Sequence, residues 1–321
     1  MSTSTAEFPL GPFTPCAENP ILRSRGTSWE SGHVYNPAAV VKDGQVVLLY
    51  RAHADDLISH VGLATSDDGI HFEREPVPVM SPTEDYERFG CEDPRVTEID
   101  GTYYLTYSGW DRERALLCLA TSTDLRTWTK HGPMFPDFDT FQPQGNGQEG
   151  GWSKAGGILP VPIDGRYLMY FGEGSIWHAW SDDLVHWTPC ANDEPPILQP
   201  VKDTFTSFLV EVGPPPIVLS NGLILLVHNA AVKNDDGTVR YTCGQLLFSP
   251  DRPTEILAEL TRPWLEPSTF EDTNGLVSNV TFVEGLVELN GTWFAYYGQS
   301  DSTLGVATYR VGERYPWPGQ D

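Results

Sequence analysis

Short apolar runs, each opened by a turn signal, recur along the chain. DGQVVLLYR begins at Asp43, DGTYYLTYS at Asp100, DGRYLMYFG at Asp164, NGLILLVHN at Asn221 and NGTWFAYYG at Asn290. In each, Asp-Gly or Asn-Gly supplies the positive-φ residues of a tight hairpin turn, and the aromatic and β-branched run behind it suits a buried strand. About twenty residues further on a second pattern follows several of these: GLATSDDGIHF from Gly62, CLATSTDLRTW from Cys118 and HAWSDDLVHW from His178, with weaker echoes in GQLLFSPD from Gly244 and GVATY from Gly305. It predicts a strand, a Ser-Asp turn and a further strand ending on an aromatic residue.

Units of roughly sixty residues with several strands each cannot bury both faces alone, so they must stack or close into a ring. Five antiparallel units predict an all-β fold, a five-bladed β-propeller. A β-sandwich would also use many short strands but gives no reason for five self-similar turns at near-even spacing. The repeat spans nearly the whole chain, which predicts one domain over residues 1–321 with a short N-terminal extension over about 1–18. Helical periodicity is nearly absent; only Pro82 to Phe89 suggests a short helix. In a propeller the polar residues that begin the inner strands share one funnel over the central channel, however far apart they lie in sequence.

The chain has 321 residues, 40% of them hydrophobic, enough for a large core. Its 44 acidic against 20 basic residues give a net charge of −24, which repels phosphate backbones and anionic lipid surfaces, so neither nucleic-acid nor membrane binding is expected. The start, MSTSTAEFPLGPF, lacks a basic segment followed by an apolar one, and a cytoplasmic location is expected. Cys16, Cys91, Cys118, Cys190 and Cys243 are scattered and odd in number, suggesting neither a zinc site nor a disulfide framework.

Several segments at predicted inner-strand starts carry chemistry. FGCEDPRVTEI sets Glu92, Asp93 and Arg95 just before the Asp100 turn, either as a general acid at the channel mouth or as a surface turn with a local Asp–Arg bridge. YNPAAV holds Asn36, and LLYRAH ends its strand on Arg51, a fork for sugar hydroxyls or phosphate, or else a blade-edge cap. WSKAGGILPVP places Lys154 before small residues, MYFGEGSIWHAWSDD places Glu173 in a Gly-flanked loop, and LVEVGPPPI places Glu211 before a rigid run. Glu284 sits inside the apolar strand NVTFVEGLVELNG, where a lone acid is ordinarily an edge residue facing solvent, and Asp301 follows the aromatic strand in YYGQSD. Aromatic platforms with several convergent carboxylates are what glycosidic-bond cleavage requires: one acid to protonate the leaving oxygen, one base to activate water. No phosphate loop, metal-spaced histidine cluster or nucleophile elbow competes.

The order and spacing of YNPAAV with Arg51, CEDPRV, LATSTDLRTW, WSKAGGILP, SDDLVHW, GPPPI and YYGQSD resemble glycoside hydrolase family 130, the β-mannoside phosphorylases and inverting β-mannosidases, over about Asn19 to Ala307. The resemblance implies that Asp93 is the proton donor, relaying its proton through a mannose hydroxyl. It also implies that Asn36, Arg51, Glu92, Lys154 and Asp301 line the sugar funnel. The phosphorylases hold phosphate with an arginine in the lysine segment, an arginine after the third-blade strand and a lysine before the proline run; the corresponding positions here are Trp152, Gly172 or Glu173, and Leu209. Only His228, in LLVHNAA, suggests a retained phosphate contact.

The hydrolytic branch carries glutamates around this pocket, and Glu211 and Glu284, with Glu173 as a third, are the candidate bases. The expectation is an inverting, exo-acting β-mannosidase on β-1,2-linked manno-oligosaccharides, without metal or organic cofactor. A β-mannoside phosphorylase releasing mannose 1-phosphate is the first alternative and a non-catalytic sugar-binding propeller the second.

Overall fold

The structure, a computed structural model, describes residues 10–142, 151–191 and 193–312. Five antiparallel sheets form a five-bladed β-propeller. The first blade runs His33–Lys42, Gln45–His53, His60–Ser66 and Glu73–Arg74 from the channel outward. The second is Gly90–Ile99, Thr102–Trp110, Ala115–Ser122 and Thr129–Pro133. The third is Gly156–Ile158, Tyr167–Phe171, Trp177–Ser181 and Trp187–Pro189. The fourth is Leu209–Val212, Ile224–Lys233, Val239–Ser249 and Arg252–Glu259, with Ile217–Val218 also pairing to the second strand. The fifth has Thr281–Leu289, Thr292–Gln299 and Thr303–Arg310.

The outermost strand of the fifth blade comes from the other end of the chain: Thr14–Pro15 pairs with Ala307–Thr308. Residues 10–18 therefore help close the ring rather than extending from it, and Leu10 and Phe13 are buried against Trp264 and Leu265. Each of the five apolar cores lies between neighbouring blades; Leu49 and Leu63 of the first meet Leu105 and Tyr107 of the second, and Leu119 of the second meets Met169 and Phe171 of the third. A blade buried on both faces explains why its central strands read as unbroken apolar runs.

The turn signals work as their chemistry predicts. Asp43–Gly44, Asp100–Gly101, Asp164–Gly165 and Asn290–Gly291 all take positive φ at both positions, the geometry that matches a two-residue hairpin to strand twist. In the fourth blade only Gly222 does so, and the turn is longer, with Leu219 and Leu223 bonded across it. The Ser-Asp turns share one network: in the second blade Ser122 accepts from the amides of Asp124 and Leu125, and Asp124 from those of Arg126 and Thr127. Ser66–Asp68 and Ser181–Asp183 repeat it.

The helix expected near Pro82 to Phe89 is a 3₁₀ turn, Asp85–Glu87. A one-turn helix, Phe270–Thr273, forms where Thr269 and Asp272 make a capping box. All five cysteines are free. Among the described residues, no helix is long and apolar enough to cross a membrane.

Candidate active site

Three inner strands carry a bulge at the residues the sequence singles out. Register breaks between Tyr35 and Pro37, between Glu92 and Arg95, and between Val283 and Gly285. The residues left over are Asn36, Asp93 with Pro94, and Glu284. Asn36 and Asp93 sit at φ near +50°, a region that short polar side chains tolerate. A bulge re-aims its side chain out of the ladder, and here it brings residues from different blades together.

Asp93 is the meeting point. Its Oδ1 accepts from Asn36 Nδ2 at 2.7 Å and from Arg51 Nη1 at 2.9 Å, and Lys154 Nζ lies 3.3 Å from Oδ2. Arg51 also reaches Glu92 Oε1 at 2.6 Å and Ser59 Oγ at 2.9 Å, so Glu92 and Asp93 share one guanidinium. Lys154 stands 3.6 Å from Glu211 Oε1 and 3.8 Å from Glu173 Oε1. Glu173 Oε2 accepts from the Trp152 indole at 2.8 Å.

Arg95 makes no bridge to the Asp93 carboxylate. Buried at 1% exposure, it donates to the backbone carbonyls of Asp93, Val212 and Gly213. Its Nη2 lies 3.4 Å from Glu211 and 3.1 Å from Glu284. Glu284 is wholly buried rather than at a solvent edge; although close to Arg95, neither of its oxygens makes a hydrogen bond among the described residues.

Asp301, at φ 51°, faces the same cluster from the fifth blade; burial, outweighing Arg51, lifts its carboxyl to about 6. Tyr241 also faces it, although nothing in the sequence pattern marks that residue. Burial, then the charges of Glu173 and Glu211, push its hydroxyl up to about 12.

His228 is not brought into the cluster. It stacks on Phe205 at 5.9 Å, packs against Gly244, and no hydrogen bond or ion pair joins it to Lys154 or Asp93 among the described residues. Burial lowers its pKa to about 4, leaving it neutral.

The carboxylates divide by environment. Burial raises Asp93, but Arg51, Lys154, Arg95 and the Asn36 hydrogen bond outweigh it and hold the group well below the usual range. Burial dominates at Glu211, lifting it to about 8 against the pull of Lys154, and at Glu284, which lies well above its ordinary value despite Arg95. At neutral pH Asp93 therefore stays ionised and Glu211 keeps its proton. Oxygens of Asp93, Glu211 and Glu284 lie within 4.8 Å of one another, a spacing that would suit a metal. Arg95 and Lys154 already lie against those oxygens, so the residues present fit their own cations better than an added one.

Stability carries the same signature. A carboxylate whose pKa is higher folded than unfolded contributes stability that is present below the unfolded value and lost as pH rises through the folded one. For Glu211 that window runs from 4.5 to about 8. The denaturation midpoint is expected to fall across it, and Glu211→Gln to flatten the fall; denaturant titrations at both ends of the window check this, and an unchanged slope would contradict it.

Comparison with known proteins sets this geometry in context. A family model described as β-1,4-mannooligosaccharide phosphorylase, glycoside hydrolase family 130, matches residues 19–315. The 1,2-β-oligomannan phosphorylase of Thermoanaerobacter sp. (strain X514) is 35% identical over 303 residues, covering 91% of this chain and 95% of that protein. The β-1,2-mannobiose phosphorylase of the same strain is 31% identical over 313 residues, covering 92% and 96%. A solved structure from the family, described as containing glycoside hydrolases that target β-1,2 mannosidic linkages in Candida mannan, superposes with a TM-score of 0.87 at 34% identity and covers 98% of both chains.

Proposed function

Because the chain belongs to glycoside hydrolase family 130, we propose that it is an inverting, exo-acting β-mannosidase that uses water, not phosphate, on β-1,2-linked manno-oligosaccharides. The β-1,2 linkage is the one named for both relatives and for the solved structure. The observation that carries the choice of water is the Trp152–Glu173 hydrogen bond beside Lys154. Trp152 stands at one of the positions where the phosphorylases are expected to hold a cation and Gly172 or Glu173 at another, and here Trp152 and Glu173 bind each other. At the third, Leu209 is buried in an apolar strand.

Arg51, Arg95 and Lys154 are all engaged by carboxylates. A phosphate dianion would lose charge-assisted hydrogen bonds of about 1.5–3 kcal/mol each and meet like charge besides.

In this reading Asp93 delivers a proton to the leaving oxygen through a mannose hydroxyl. A glutamate takes a proton from water, whose oxygen bonds to the anomeric carbon as the glycosidic bond breaks. Among the glutamates the geometry favours Glu173 as base. Its side chain is 17% exposed, against 2% for Glu211 and none for Glu284, and a base must meet water. Glu211 lies too near Asp93 for a sugar and a water to fit between them, since inverting pairs stand roughly 6.5–9.5 Å apart.

The resting proton on Glu211 has a route to Asp93. Both groups share Lys154, and the charge of Asp93 raises the pKa of Glu211, so the two carboxyls are coupled and one proton can pass between them. Mannose hydroxyls that compete for Arg51 and Asn36 favour that move. Glu173→Gln is expected to lower kcat by about 10²-fold or more while leaving KM within a few-fold. Retention of full kcat would remove Glu173 from the mechanism.

The second reading is phosphorolysis, favoured by the activities named for the two Thermoanaerobacter relatives.

A further inference from the structure

Outside the carboxylate cluster, one group of side chains at the channel mouth remains without a role. Phe89 immediately precedes the inner strand that carries Asp93. The Arg112 guanidinium lies 3.8 Å from its ring centroid and that of Arg88 5.3 Å away. Both arginines are exposed.

Among the described residues neither arginine forms an ion pair, and the one hydrogen bond from either guanidinium is a long one from Arg88 Nη2 to the Asp111 carbonyl, 3.4 Å. The Asp111 carboxylate turns away, accepting from the amides of Glu113 and Arg114 and facing the Arg114 side chain. Glu113, although adjacent in sequence, pairs with neither.

Arg112 also holds φ at 75°, a strained conformation for a long side chain, of the kind retained at functional positions. In a chain of net charge −24, two neighbouring uncompensated guanidinium groups create a local attraction for anions.

Their position ties them to the site. Phe89 accepts from the Ser59 amide and donates its own amide to Trp110. Ser59 Oγ bonds Glu92 and Arg51. Trp110 meets Trp152 edge to face at 6.0 Å, and Trp152 holds Glu173. The arginine pair thus lies on the exposed side of the wall whose contacts run to the donor's neighbour Glu92 and to the base Glu173. Guanidinium groups laid against an aromatic ring are pre-organised and keep their outward N–H groups free for a planar, bidentate oxyanion.

We propose that Arg88 and Arg112, held by Phe89, form a phosphate-binding site at the channel mouth that takes a phosphate ester on the leaving-group sugar of the mannoside. The proposal rests on the mannosidase reading only for the direction of the sugar chain, not for the nucleophile.

The probes are β-1,2-mannobiose, the same disaccharide with a phosphate monoester on its reducing-end mannose, and inorganic phosphate. The wild type is compared with an Arg88→Gln/Arg112→Asn double variant, asparagine being chosen because it accepts a left-handed backbone. At low salt the wild type is expected to prefer the phosphorylated sugar by about tenfold or more in KM. The preference shrinks as screening rises and falls to near one in the double variant.

Binding of the two sugars to an Asp93→Asn protein gives the same ratio without turnover. If instead inorganic phosphate drives cleavage of neutral mannobiose and the double variant loses that dependence, the site serves free phosphate. Products report the reaction separately: mannose 1-phosphate would contradict hydrolysis and leave the ratio intact. An equal ratio in wild type and double variant, with no change in phosphate dependence, overturns the proposal.

Discussion

Replacing Asp93 by asparagine is expected to cut turnover of β-1,2-mannobiose by about 10²–10⁴-fold, the usual share of a positioned general acid. The substitution preserves shape and leaves one oxygen to accept from Asn36 and Arg51, but removes the proton that must reach the leaving oxygen. Some stability is lost as well, because Arg51 and Lys154 hold the buried Asp93 carboxylate ionised, but Arg51 keeps Glu92 and Lys154 keeps Glu173 and Glu211, so the variant is expected to fold. A substrate whose leaving group is a weakly basic phenol needs no such proton, so the variant's loss on an aryl β-mannoside is expected to be far smaller than on the disaccharide. Steady-state kinetics on the two substrates check this. Equal losses on both would mean that Asp93 only positions the sugar.

Arg95→Met has the second large effect, on folding. Arg95 sits where the second, fourth and fifth blades face one another, satisfying three backbone carbonyls and lying against two buried acids. Removing it strands those carbonyls, leaves Glu284 without its cation and leaves Glu211 with Lys154 alone. Breaking a buried charge pair from one side costs about 3–5 kcal/mol, so a large fall in the denaturation midpoint is expected. A midpoint within a few tenths of a kcal/mol of wild type would show that Arg95 is dispensable to the ring.

The parts of the molecule that were legible in sequence are those whose physics is local. A two-residue turn needs positive φ, so Asp-Gly and Asn-Gly announce the hairpins, and their repetition announces the ring. Asp93, Asn36 and Lys154 could be found because each stands at the head of an inner strand, and Arg51 because it closes an apolar strand, in segments that packing alone does not explain.

What depends on closure was not legible. The two-residue strand Thr14–Pro15 has no periodicity of its own and becomes a strand only when the last blade offers its edge. Arg95 reads as a local partner of Asp93, and only the folded ring turns it toward Glu211 and Glu284. Tyr241 lies in a strand of ordinary pattern and is placed by the blade. The glutamates differ in burial, which one-dimensional pattern does not carry: Glu284, a lone acid in an apolar strand, reads as solvent-facing yet is sealed beside Arg95, whereas Glu173 stays partly open beside Trp152. His228 shows the converse, a residue that the surrounding motif places near phosphate but that the structure stacks on Phe205.

The central claim is that water, not phosphate, completes the reaction. Purified protein incubated with β-1,2-mannobiose, with and without inorganic phosphate, tests it directly through product identity: the account predicts free mannose at a rate independent of phosphate, whereas mannose 1-phosphate formed only when phosphate is present would contradict it.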